Sequence, residues 1–150
     1  MPQSLSSILV HLVFSTKNRE PLIAGEVEIE LHRYLATVFR ELESPSLLIG
    51  GTEDHIHSLF ALSRTITIAD LVREVKTSSS KWIKTKGTAL RQFHWQSGYG
   101  AFSVGQSNVP ALTQYIATQK QHHRRTSFQD EFRFLCKRYG VDIDDRYVWE

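Results

Sequence analysis

Cysteine is almost absent: Cys136 stands alone in 150 residues. That excludes an internal disulfide and a zinc site built from thiolates. Because Cys136 falls on an apolar helical stripe, it reads as a small buried hydrophobe. No apolar run approaches the ~20 residues that a bilayer-spanning helix needs, and Met1-Pro2-Gln3-Ser4-Leu5 offers no basic leader before an apolar core. The expectation is a cytoplasmic protein with no membrane partner. Repeats at a fixed period and low-complexity tracts are also missing, which excludes solenoids and long disordered segments. Net charge is small, at +2. The sum therefore says little about polyanions, and the distribution has to carry that question.

What is present is ordinary globular material, 41% hydrophobic and 23% charged. The length suits one domain, residues 1–150, with its own core. Ser7–Ser15 is branched and apolar on both faces, which predicts a central strand needing cover on two sides. Val27, Leu31, Tyr34, Leu35, Val38 and Leu42 lie on one stripe of an amphipathic helix. Ser44-Pro45 stops it, Ser46–Gly50 makes a second strand, and Gly51–Asp54 turns the chain into a third that begins at His55. Thr67-Ile68-Ala69-Asp70 has the form of a capping box. Ile68, Leu71, Val72, Val75, Ser79, Trp82 and Ile83 follow on one helical face.

The aromatic loop Phe93–Gly98 leads into a fourth strand, Tyr99–Val104. Ser107-Asn108 then caps a helix read as continuous from Val109 to about Arg124. A last helix begins at Ser127, buries Phe128, Phe132, Leu135, Cys136 and Tyr139, and ends at Gly140. The order is βαββαβ, the plan of a ferredoxin-like antiparallel sheet in the α+β class, with additional C-terminal helices. The tail Val141–Glu150 ends in aromatics and is expected to dock on its own domain or on a partner.

Two patterns carry chemistry. His55 and His57, at i and i+2 on a strand, project from one face with backbones roughly 6.5 Å apart, as a pair of metal ligands would. Spacing alone equally describes two polar residues on a half-solvated strand. Tyr115 and Gln119, at i and i+4 on a helix, bring a phenol and an amide oxygen to one space; the pair alone better describes a ring packed on the sheet with an amide at its rim.

Both patterns, in this order within a ferredoxin-like plan, resemble the HUH transposases of single-strand-transposing insertion sequences, the IS200-like family with one catalytic tyrosine. The resemblance is carried by Gly50-Gly51-Thr52-Glu53-Asp54-His55-Ile56-His57, Ser78–Ile83, Trp95–Val104 and Tyr115–His123. It implies a prokaryotic DNA transposase that cleaves and rejoins single-stranded DNA with hairpin ends. By the same resemblance, Tyr115 is the nucleophile that forms a 5′-phosphotyrosine. His55, His57 and Gln119 are the ligands of a divalent metal, Mg2+ or Mn2+. A homodimer is implied, whose tyrosine helix can serve the partner's site. The base that takes the tyrosine proton is left open, and Asp54 reads as a turn residue or as support for the ligands.

Arg64–Arg91 carries seven basic residues against Asp70 and Glu74, a local excess of five. Lys81, Lys84 and Arg91 there, with Lys120, Arg124 and Arg125 after the tyrosine, are the candidates for phosphate contacts. His11, His32, His94, His122 and His123 lack a partner at ligand spacing and read as structural. Two other functions use the same residues: a non-catalytic binder of single-stranded DNA or RNA hairpins, and a hydrolase whose histidine pair activates water.

Overall fold

The computed structural model describes residues 2–150. Four strands, β1 (Leu9–Ser15), β2 (Ser46–Gly51), β3 (His55–Ala61) and β4 (Gly100–Val104), form one antiparallel sheet in the order β2-β3-β1-β4. This is the expected ferredoxin-like arrangement. Every residue of β1 is buried, as a run apolar on both faces requires.

The helices α1 (Glu26–Glu41) and α2 (Ile68–Ile83) cover one face. Val10, Leu12 and Phe14 of β1 and Ile56 and Phe60 of β3 meet Leu31, Leu35, Phe39, Leu71 and Val75 there, in the main core. Thr67 caps α2, its hydroxyl accepting from the Asp70 backbone N–H at 3.1 Å. Burying such side chains contributes roughly 1.5–3 kcal/mol each relative to exposure.

The opposite face carries Leu9, His11, Val13, His55, His57 and Leu59, covered by α3 (Val109–Ala117), α4 (Gln119–His122) and α5 (Phe128–Arg138). Two glycines permit the close approach. A Cβ on Gly50 would lie 2.7 Å from the Ile116 carbonyl oxygen, and one on Gly100 would lie 2.8 Å from the Phe132 ring. Larger residues would push α3 and α5 off the sheet.

Several expectations need correction here. The helix from Val109 is broken at Thr118, whose φ of −106° and ψ of 21° end α3. The Thr118 hydroxyl bonds the Gln114 carbonyl at 2.9 Å and lies 3.1 Å from His122 Nε2, local bonding that competes with the helix. Asn108 precedes α3, but after a 3-10 turn, and its side chain makes no capping bond. Tyr139 lies just past α5 and is 37% exposed rather than buried, although its ring stacks on Phe102. Cys136 is buried as expected.

The tail docks on its own chain: Val148 and Trp149 pack by Phe128 and Phe132, and the Ser97 N–H donates to the Glu150 carbonyl at 2.7 Å. Among the described residues no helix is long and apolar enough to cross a membrane.

Candidate active site

β3 places His55 and His57 on one face, but that face is not half-solvated. Both are fully buried, and Gln119 and Glu131 beside them are 1% and 4% exposed. The break at Thr118 re-aims the following turn, so that Gln119 reaches inward and His123 folds back with its ring 4.3 Å from that of His55. The helix α5 then brings Glu131 into the middle.

Glu131 Oε1 lies 3.0 Å from His57 Nε2, 3.1 Å from His123 Nε2 and 3.6 Å from His55 Nε2. One donor atom from each of these four residues lies within 4.8 Å of every other. Gln119 Oε1 is 3.1 Å from His55 Nε2. The donor set, imidazole nitrogens with carboxylate and amide oxygens, suits first-row divalent ions, and such separations are those of neighbouring ligands on one ion.

Proton accounting supports the fit. His55 Nδ1 is 2.7 Å from Asp54 Oδ1, which also accepts from Thr52, so the proton belongs on Nδ1. The bare Nε2 of His55 then faces the Gln119 oxygen, two lone pairs that a cation between them would reconcile. His57 Nδ1 contacts His11 Nε2 at 2.7 Å, with the two rings stacked. Both ligand histidines thus have a partner on their far nitrogen, the arrangement that orients imidazoles on metals. His123 Nε2 is buried and, despite its nearness to Glu131, aligned with no hydrogen-bond partner among the described residues.

Tyr115 lies within reach of this cluster in the same chain. Its ring is 5.9 Å from that of His57, and its hydroxyl donates to Glu131 Oε2. Glu131 therefore bridges, one oxygen to the imidazoles and the other to the phenol. Burial, and then the adjacent carboxylate, push the Tyr115 hydroxyl above its ordinary range. Burial would raise Glu131, but the close approach of His123 and its hydrogen bond with His57 outweigh that and hold it well below the carboxylate range. Burial, with His57 nearby, lowers His11 to about 3; burial also lowers His57, against the pull of Glu131. Burial acts to lower His123 as well, but Glu131 more than offsets this and raises it. Asp54 is lowered: burial opposes, and its bond and charge contact with His55 prevail.

The expected residues are thus divided. His55, His57, Gln119 and Tyr115 converge. Two readings of isolated structural histidines give way, because His123 joins the cluster and His11 braces His57. Glu131, at the centre of the cluster, is a residue to which sequence reasoning assigns no role. Its signal was available: Phe128, Glu131, Phe132 and Leu135 follow helical spacing, so an acid occupies a stripe that should be apolar.

The basic candidates separate as well. Arg124 and Arg125 are exposed just after α4, on the site side. Lys120 is exposed but paired with Glu28 at 3.2 Å. Lys81 and Lys84 belong to the α2 layer, and Arg91 follows it, across the sheet from the site. Lys76 of the same run is structural: its ammonium donates to the Gln96, Ser97 and Gly98 carbonyls, and burial lowers it to about 8.

The family profile described as "Transposase IS200 like" matches residues 4–119, about three quarters of the chain. Tyr115 and Gln119 fall inside the match, His123 and Glu131 beyond it. No curated protein matches. Among solved structures, a protein of Deinococcus radiodurans R1 assigned provisionally as a transposase superposes with a TM-score of 0.65 at 21% identity, covering 79% of this chain and 98% of that one. A REP-associated tyrosine transposase, solved bound to a REP hairpin, gives 0.60 at 14% identity, covering 82% of this chain and 72% of that one. At these identities the likeness speaks for the fold.

Proposed function

The chain belongs to the IS200-like transposase family, and from that premise we propose that it cleaves and rejoins single-stranded DNA at hairpin-bearing element ends through a 5′-phosphotyrosine. The observation that carries this reading is the convergence of Tyr115, His55, His57, Gln119 and Glu131 within one chain. Tyr115 Oη attacks phosphorus, its proton passes to Glu131 Oε2, the nearest acceptor, and the bond to the 3′ oxygen breaks. The departing 3′ oxygenate takes a proton from solvent. The phosphodiester energy is kept in the tyrosyl ester, and attack by another 3′ hydroxyl reverses the step.

His55, His57, His123 and Glu131, with Gln119 beside them, would hold a divalent ion, Mg2+ or Mn2+. Bound there, it would supply charge neutralisation for the scissile phosphate. His11 and Asp54 hold the imidazoles in the tautomers that ligation requires.

A REP hairpin is what one structural neighbour binds, and a DNA hairpin is the substrate class proposed here. Arg124 and Arg125 would contact the backbone of the strand near the site, and Lys81, Lys84 and Arg91 more distant duplex phosphates. The resemblance also implies a homodimer. Because Tyr115 reaches the cluster of its own chain, we propose cleavage by each subunit's own tyrosine, so mixing His57→Ala with Tyr115→Phe should not restore activity.

The deciding experiment incubates the protein and Mn2+ with labelled single-stranded hairpin DNA and looks for a covalent band on a denaturing gel. Wild type should give the band, and Tyr115→Phe should lose it while binding the hairpin within a few-fold of wild type. Hairpin binding with no band from wild type would leave the non-catalytic binder. A band from Tyr115→Phe would move the nucleophile to another tyrosine.

A further inference from the structure

A cavity of about 210 Å³ lies between α3 and α5, beside Tyr115. Its lining includes His11, Leu112, Tyr115, Leu135, Arg138 and Tyr139. The ligand histidines His55 and His57 are fully buried, whereas Tyr115 lines this cavity. Whatever occupies this cavity therefore touches the attacking residue.

Its chemistry is that of a flat, partly polar, anion-linked guest. The leucines and the Tyr139 ring offer apolar walls, and Phe134, 58% exposed, extends them at the mouth. Tyr139 is already braced by stacking on Phe102, ring centres 4.7 Å apart. At the inner end the fully buried His11 has no hydrogen-bond partner for Nδ1 among the described residues. None of the lining residues is acidic, and Arg138 forms no ion pair among the described residues. A nucleobase has apolar faces and a hydrogen-bonding edge, and it arrives on a phosphate backbone that an arginine would hold.

We infer that this cavity receives the base of a nucleotide adjoining the scissile phosphate, so that the protein itself reads part of the cleavage site. The inference rests on the phosphotyrosine reading above, and its test separates the two. A pool of single-stranded DNA with a randomised segment is incubated with protein and Mn2+. The covalent adduct is isolated on a denaturing gel, and both the attached and the released strands are sequenced at the junction.

Wild type should favour one base about ten-fold at one of the two junction nucleotides, the discrimination expected when His11 Nδ1 reads one base edge while stacking holds the ring. Ala111→Trp, at an exposed position on the cavity wall, should flatten that preference to about two-fold or less. Phe134→Ala should weaken it in the same direction by removing a wall rather than filling the space. Adducts with no junction preference in wild type, or with the same preference in both variants, would overturn the cavity and leave the phosphotyrosine reading intact. If wild type forms no adduct, both fall together.

Discussion

On the α1–α2 face of the sheet, Leu12, Phe14, Ile56 and Phe60 meet hydrocarbon, whereas on the α3–α5 face of the same strands His11, His55 and His57 meet a carboxylate, an amide and a phenol. Adjacent residues of one strand, Ile56 and His57, thus serve opposite ends. A hydrocarbon face asks only for volume and shape, and many residues satisfy it. The site face leaves less choice, since each buried polar atom needs a partner at a particular place. The partners come from α3, α4 and α5, far along the chain. The site face is also where the backbone departs from regularity, at Thr118.

The contrast is sharpest in Phe60→Ala, which should lower stability by about 3–5 kcal/mol in urea denaturation while Mn2+ affinity of the folded protein stays near wild type. A large fall in affinity at unchanged stability would show that the two faces are not separable.

Acid should act chiefly on the site face, with His32 of α1, also lowered by burial, adding to the loss. His11, held at about 3, and His57, also lowered, bind protons more readily in the unfolded chain, where the ordinary value is 6.5. Between those values the unfolded state carries more protons, so their contribution is full above 6.5 and is lost as pH falls. The depressed Glu131 adds a further loss below its ordinary range, while the raised His123 opposes these effects. The metal-free protein should lose about 3 kcal/mol between pH 7 and pH 4. A flat profile would mean that the histidine face is not buried in solution.

Glu131→Gln keeps the shape and removes the charge at the centre of the cluster. Calorimetry should show Mn2+ binding weakened about 10–100-fold. Carbon-13 NMR of labelled tyrosine should show the Tyr115 titration moving down, since the carboxylate is one cause of its raised value. Unchanged metal affinity would remove Glu131 from the ligand set.

The smallest effect is expected from Gly50→Ala. Its methyl would crowd the Ile116 carbonyl, costing about 1–3 kcal/mol as α3 shifts. Adduct formation should fall by more than stability does, because Tyr115 and Gln119 lie on and just beyond α3. Equal losses would mean that α3 has slack.

Hydrophobic periodicity was enough to read the sheet and both of its covering helices, because alternation along β3 and the stripes of α1 and α2 are local consequences of burial. The paired histidines and the Tyr115–Gln119 spacing were legible for the same reason, each being a short-range pattern on one element. Glu131 and His123 were not, since no local spacing relates them to His55 or to each other. Only the break at Thr118, the return of α5 across the sheet and the close approaches allowed by Gly50 and Gly100 bring them within about one ligand's distance of the same point. The sequence by itself determined which face of β3 could carry chemistry. The tertiary structure decided that this face would be closed, that a carboxylate would stand at its centre, and that the tyrosine would meet it from within the same chain.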